Sequence, residues 1–318
     1  MLTLFTTAKP FLGHSGIIQR NALQSWKLLH PDVEIILFGN DEGAADISRE
    51  LGLRHEPDVA RDPSGPPYMN CMFDRAQEIA RHEILCYVNC DIILTSDFCK
   101  AVQRVRVAYA AFLMVGRRWD TEIVTLIDFS APRWSDEIRQ LARETSNQRD
   151  GCWIDYFCFS RNLFYKQTPA FVIGRVHWDN WLVWKALNSR VAVVDASGSV
   201  VAVHQNHGYS YHPNGQEGVW TSEPAQRNLA LAGGLPHLCT IQDATTKLTR
   251  DGLKRNRRRW NDAKQRGQSL YVNFKRVLTY NLWLPAWHFC LGISRPLRTR
   301  LGLRSDHPGD SARSNHPE

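Results

Sequence analysis

The run Cys86-Tyr87-Val88-Asn89-Cys90-Asp91-Ile92-Ile93 places an amide and a carboxylate at alternate positions among strand-forming apolar residues. Positions i and i+2 of a strand face the same way, so both oxygen-bearing side chains project together. Burying them without partners is costly. Magnesium or manganese is commonly held by one or two carboxylates, with substrate phosphates completing the shell. Asn89 and Asp91 therefore read as half of a metal site, with Asp91 carrying the charge. As plain caps of a strand–turn junction they would serve the fold alone.

Farther along, His204 and His207 flank Gln205-Asn206 behind an apolar strand, in a loop that continues Gly208, Tyr209, Tyr211 and His212. Either imidazole could give a metal a nitrogen ligand or bond a phosphate, His204 being the first choice and His207 the second. Arg117 and Arg118 follow the apolar run Phe112–Val115, and a guanidinium matches phosphate oxygens bidentately. They read equally well as surface charge.

The elements that must carry these groups alternate between two periods. Residues 2–7, 33–39 and 84–93 read as strands, and residues 16–29, 44–52 and 69–81 as amphipathic helices. Strands predicted over 110–120, 153–160, 191–197 and 200–211 follow, with helices over 134–146 and 178–187. Strand–helix alternation implies an α/β fold with a mainly parallel sheet. Strands that are apolar throughout imply a sheet covered on both faces. The first strand is followed by Thr7-Ala8-Lys9-Pro10-Phe11-Leu12-Gly13, neither a GxGxxG nor a Walker loop, which disfavours an ordinary dinucleotide or P-loop enzyme.

The 318 residues carry a formal charge of +7, unevenly spread. Thirteen Lys/Arg against two Asp/Glu between Asp251 and Arg304 give that stretch +11 and leave −4 for the rest. The eight cysteines show neither CxxC nor Cys/His zinc spacing, and several sit in strand-like runs, as reduced buried thiols do. Lys9 and Pro10 interrupt the short apolar N-terminus, so no signal peptide is expected. No apolar stretch is long enough for a spanning helix.

The order of these motifs resembles the GT-A fold glycosyltransferases, in a family-2-like form over residues 1–235. YVNCDIILTSDF resembles their metal-binding DxD region, with Asn89 in place of the first aspartate. The resemblance implies a Rossmann-like sheet flanked by helices, with residues 1–100 binding the nucleotide sugar and 101–235 facing the acceptor. It implies that Thr6, Thr7 and Lys9 at the first strand end, and Asp41 (with Glu42) at the second, contact the base or ribose. Asn89, Arg117 and Arg118 would complete the donor site. GRVHWDNWLVWKAL resembles the acidic acceptor-side motif entering a helix. There Asp179 would be the catalytic base, with Trp178, Asn180 and the strand-start Asp155 binding acceptor. VHQNH matches the place where some families supply a late histidine to the metal.

The implied reaction moves a sugar from a nucleoside diphosphate sugar to a hydroxyl of a glycan or lipid-linked acceptor. It is assisted by manganese or magnesium, with a slight lean to inversion. A sugar-nucleotide nucleotidyltransferase and a catalytically silent binding protein on the same fold remain the alternatives. Residues 248–304 read as a basic, partly helical extension, with 254–293 suited to an anionic membrane surface and 305–318 disordered. Nucleic acid is the less expected partner. The expectation is thus a cytoplasmic protein peripheral to the inner face of the membrane.

Overall fold

The computed structural model describes residues 1–208 and 215–256. The chain begins with β1 (Leu2–Thr7), α1 (Gly13–Lys27), β2 (Val33–Phe38), α2 (Ala44–Leu51), β3 (Arg54–Glu56), α3 (Met69–Ile79), β4 (Ile84–Val88), β5 (Ile92–Ile93) and α4 (Asp97–Ala108). It continues through β6 (Phe112–Val115), β7 (Arg118–Thr121), α5 (Trp134–Thr145), β8 (Tyr156–Ser160), α6 (Trp178–Asn188), β9 (Ala192–Asp195) and β10 (Ala202–Gln205). The last elements are α7 (Gly215–Thr221), α8 (Glu223–Leu231), β11 (Thr246–Thr249) and β12 (Gly252–Arg255). The strands expected over 84–93 and 110–120 each break in two.

Among the described residues, nine strands form one sheet in the order β12-β11-β9-β6-β8-β4-β1-β2-β3. Within it β1, β2, β3 and β4 run parallel, as do β6, β9 and β11. Between these two parallel groups β8 runs antiparallel to both β4 and β6. That reversal matters for function, because it brings the start of β8 to the carboxyl ends of its neighbours.

Alternate side chains of the central strands enter two separate cores, as two-sided apolar strands require. Leu2, Leu4, Cys86, Val88, Met114 and Cys158 pack beneath α1, α2 and α4. Phe5, Leu85, Tyr87, Leu113, Phe157 and Phe159 pack beneath α3 and α6. Cys86, Cys90, Cys99 and Cys158 are buried thiols.

A second sheet, β5-β10-β7, lies apart from the first. Its β10 is parallel to β7 and antiparallel to β5. Ile93, Val201 and Val203 meet Ile138 and Ala142 of α5 in a small third core. Asn21 and Gln205, both buried, fasten this sheet to α1. Asn21 Nδ2 donates to Gln205 Oε1 at 2.9 Å, and Gln205 Nε2 donates to the carbonyls of Ile18 and Asp91.

The sheet does not stop near residue 235. β11 pairs with β9, and β12 closes the edge as a hairpin, so Lys254 and Arg255 of the expected basic tail belong to the domain. Thr246 and Leu248 point inward while Lys247 and Thr249 are half exposed, an alternation spread over only four residues. Such a strand is too short to stand out by period. The tail from residue 257, the 305–318 terminus, and Tyr209, Tyr211 and His212 lie outside the described residues. Among the described residues no helix is long and apolar enough to cross a membrane.

Candidate metal centre and donor site

The polar residues singled out above gather at the carboxyl ends of β1, β4 and β6, the edge where open α/β sheets bind ligands. Asp91 follows β4, and its backbone carbonyl accepts from the Gln205 N–H at 3.2 Å. That bond draws the end of β10 against the end of β4. Asp91, His204 and His207 thereby bring their ligating atoms within 4.8 Å of one another.

His207 Nε2 lies 3.0 Å from Asp91 Oδ2, and His204 Nε2 lies 3.9 Å from the same oxygen. The opposite nitrogens face other oxygens. His207 Nδ1 is 2.9 Å from the Gly208 carbonyl, and His204 Nδ1 is 3.3 Å from Asp120 Oδ1. Oxygen acceptors stand at both edges of the His207 ring, so a proton or a cation must lie between its Nε2 and Asp91, whereas His204 Nε2 at 3.9 Å is beyond hydrogen-bond reach of that oxygen. Asp91 Oδ1 is buried without a hydrogen-bond partner, although 19% of the side chain stays accessible. Burial opposes its charge. The hydrogen bond from His207 and the fields of His204, His207 and Lys9 outweigh that, holding its carboxyl well below the usual range. One anionic oxygen, two inward nitrogens and an unfilled acceptor fit a divalent cation.

Lys9, past the end of β1, is held through its backbone by the Gln19 side chain. Burial lowers its pKa, partly offset by Asp91 and Cys90. Thr6 is buried, and the Thr7 hydroxyl is a buried group without a hydrogen-bond partner. Asp41 follows β2, but its carboxylate is engaged by Arg61. Arg117 is half buried, with its N–H donating to Ser197 Oγ at 2.9 Å. Among the described residues no carboxylate pairs with its guanidinium. A Cβ at Gly116 would come 2.0 Å from the Tyr156 hydroxyl, so only glycine lets the chain pass there into Arg117.

Four expected ligand contacts are turned inward instead. Arg118 is 7% exposed and donates from Nη1 to both oxygens of Asp155, at 3.1 and 3.0 Å, and from Nε to Asp120 at 2.8 Å. Its charge is spent on these carboxylates, so neither Arg118 as a diphosphate clamp nor Asp155 as an acceptor ligand is what this geometry provides. Adjacent strand residues face opposite ways, and of Arg117 and Arg118 one had to point inside. Trp178 packs on Tyr87 and Phe157 at 5.4 and 5.3 Å between ring centroids. Asn180 is buried, its amide donating to the Cys239 carbonyl at 2.9 Å. The helix α6 is buried on most sides, which makes its first turn part of the core.

Asn89 also differs from expectation. Its amide donates to Asp155 Oδ1 at 2.7 Å, joining the ion network, while the cluster of ligating groups is Asp91 with both histidines. An amide donates as well as accepts, and Asp155 is the anion within its reach.

Asp179 lies in the first turn of α6, half buried, after His177 in the left-handed conformation at φ 87°. The contact of Trp178 with Tyr87 sets this turn at the same sheet edge as Asp91. Trp153 lies under the guanidinium of Arg118 at 4.8 Å and beside Trp220 at 6.0 Å.

Asp120, at the end of the strand expected over 110–120, is a site residue without a place among the sequence expectations. Burial opposes its charge, but bonds from His204, Arg118 and Arg149 hold its carboxyl well below the usual range. Its register opposite His204, across a sheet of two- to four-residue strands, has no sequence signal of its own.

No family model matches the chain, and no curated protein matches it. Solved structures do. The structure of S. aureus TarS 1–349 in complex with UDP-GlcNAc is similar with a TM-score of 0.50 at 11% identity, covering 88% of this chain and 73% of that one. The glucosyl-3-phosphoglycerate synthase of Mycobacterium tuberculosis, in complex with Mn2+, UDP and glucosyl-3-phosphoglycerate, is similar with a TM-score of 0.43 at 14% identity, covering 75% and 80%. At such identities a likeness speaks to the fold alone. The chain has the mixed α/β, mostly parallel architecture of the GT-A fold.

Proposed function

We propose that this protein is a nucleotide-sugar glycosyltransferase that works with a divalent cation held by Asp91, His204 and His207. The observation that carries the reading is the convergence of those three side chains at the carboxyl edge of a GT-A sheet. The similar TarS structure is a complex with UDP-GlcNAc, which supports a nucleotide-sugar donor. Two imidazole nitrogens beside one carboxylate favour manganese over magnesium, which prefers oxygen.

When bound, the cation would supply Lewis-acid neutralisation of the departing diphosphate. Lys9 and Arg117 add positive charge at the same edge, where negative charge develops as the glycosidic bond to the nucleotide breaks. Thr7, half buried at the end of β1, lies toward the base and ribose, while Thr6 is enclosed beneath it. Asp179 takes the acceptor proton, which makes the displacement an inverting one. A glycan or lipid-linked hydroxyl is the acceptor class, and Trp153 beside Trp220 offers an indole face to a sugar ring. The basic, aromatic composition of residues 254–293 supports peripheral docking on an anionic inner leaflet.

The test is turnover of UDP-, GDP- and dTDP-sugars, followed as nucleoside diphosphate release with and without manganese. Manganese-dependent release that disappears in Asp91→Ala, at unchanged melting temperature, is expected. Conversion of donor and added pyrophosphate into nucleoside triphosphate and sugar 1-phosphate would make the enzyme a nucleotidyltransferase, and no turnover of any donor would leave a binding protein. Asp179→Asn should keep donor binding while transfer falls by roughly 10²–10⁴. Lost donor affinity at unchanged turnover would remove Asp179 from the role of base.

A further inference from the structure

The residue opposite His204 has a task of its own. In the parallel pairing of β10 with β7, His204 and Asp120 are direct register partners, so both side chains rise from the same face of the small sheet. They meet with His204 Nδ1 at 3.3 Å from Asp120 Oδ1. Asp120 cannot swing away. Arg118 Nε donates to Oδ1 at 2.8 Å, and Arg149 Nε donates to Oδ2 at 2.5 Å. Both members of the pair are nearly enclosed, with 10% of His204 and 11% of Asp120 accessible. Arg118 is itself anchored by Asp155, whose other tie is the Asn89 amide.

An unbroken chain of charged groups therefore runs from the end of β4, through Asp155, Arg118 and Asp120, to the ring of His204. The Asp120 carboxylate stands 3.3 Å from Nδ1, off the line of a formed hydrogen bond, and its negative field favours the proton on that nitrogen. The Nε2 lone pair is then left pointing toward Asp91. His207 repeats the arrangement with a neutral acceptor, the Gly208 carbonyl, in place of a carboxylate. The two histidines differ in how firmly they are held.

We infer that Asp120, buttressed by Arg118 and Arg149, is a positioning residue that fixes the tautomer and orientation of His204 for cation binding. The inference rests on the proposed cation site, and it names a residue outside the ligand set. Carboxylates placed behind a ligating imidazole raise its basicity and orient it, and their loss typically costs 10–100-fold in metal affinity.

The experiment compares the wild type with Asp120→Leu, Asp120→Asn and Arg149→Gln. Two readouts are used: manganese affinity by titration, and the imidazole 15N spectrum of the metal-free protein at about pH 9, where free imidazole is neutral. Asp120→Leu should weaken manganese binding 10–100-fold and shift the His204 proton from Nδ1 toward Nε2. Asp120→Asn, which keeps an acceptor oxygen, should lose less. Arg149→Gln, made at a half-exposed side chain, should show a smaller loss of the same sign and guards against misfolding of the leucine variant. Unchanged affinity with His204 still protonated at Nδ1 in all three variants would overturn the inference. A wild type that binds no divalent cation would overturn the cation-site reading instead. The tautomer spectrum would then decide the role of Asp120 alone, a shift in Asp120→Leu sustaining it and no shift refuting it.

Discussion

Tyr87 in β4 and Asn89 just past its end stand two residues apart and belong to clusters held by different physics. The side chain of Tyr87 joins Phe5, Phe73, Phe159 and Phe164, rings that meet edge-on or stacked with centroids 5.0–6.2 Å apart. Asn89 joins Arg118, Asp155 and Asp120, where every contact is a directed, charge-bearing bond. The aromatic group is cohesive in a non-directional way, and losing part of one ring leaves neighbours that can shift. In the ionic group one loss strands the others. Coulomb attraction there offsets a large desolvation penalty, and removing one partner exposes that penalty in full.

The sharpest way to break the comparison is Arg118→Met. Two carboxylates, Asp155 and Asp120, would keep their burial and lose their shared cation. A loss of about 3–5 kcal/mol in unfolding free energy is expected by denaturant titration, with unchanged m-value. A cost below about 1 kcal/mol would mean that Asn89 and Arg149 satisfy the carboxylates by themselves, and the two clusters would not differ as argued.

This contrast also explains what could be read from the chain. Apolar periodicity carries a physical mandate, since a strand with the wrong face inward cannot bury its side chains. The central strands and most helices were accordingly readable. That Asp91 and His204 would meet was also an expectation of the sequence, and their ligating atoms lie within 4.8 Å of each other. A charge, by contrast, looks the same in sequence whether it faces a ligand or another side chain. Arg118 and Asp155 are 37 positions apart and meet only because β8 runs antiparallel, a topological fact with no local signature. The parity of Arg117 and Arg118 was the signal available: one of two adjacent strand residues must turn inward. The helix α4, with Phe98, Val102 and Val105 at helical spacing, was not among the expected helices.

Between the two extremes lies the neutral polar tie of Asn21 and Gln205. Both amides are buried and bonded, and they connect α1 to the backbone of Asp91 and to the loop at Thr125 and Ile127. Gln205→Leu would fill the same space and leave the Asn21 amide short of an acceptor. About 1–3 kcal/mol should be lost, less than for Arg118→Met because no net charge is stranded. Manganese affinity should fall as well, since the tie sets the spacing of Asp91 and His204. An affinity equal to that of the wild type would show that the backbone bond from Gln205 to Asp91 is enough to hold the centre together.

The smallest effect belongs to the aromatic side. Phe73 is fully buried in α3 and touches four rings, with Phe159 stacked at an interplanar angle of 6°. By contact alone it would rank among the most important residues of the fold. Phe73→Leu, however, exchanges one apolar group for another and forfeits chiefly the ring-on-ring part of the interaction, with a modest cavity left for Leu85 and Met72 to close. The expected cost is about 1–2 kcal/mol. Because Phe73 lies on α3, apart from Asp91, His204 and His207, cation affinity should stay within twofold of wild type. A loss as large as that of Arg118→Met, or a parallel loss of manganese binding, would show that the stacked rings fix the position of β4 itself. The division between a forgiving aromatic face and an exacting ionic edge would then have to be abandoned.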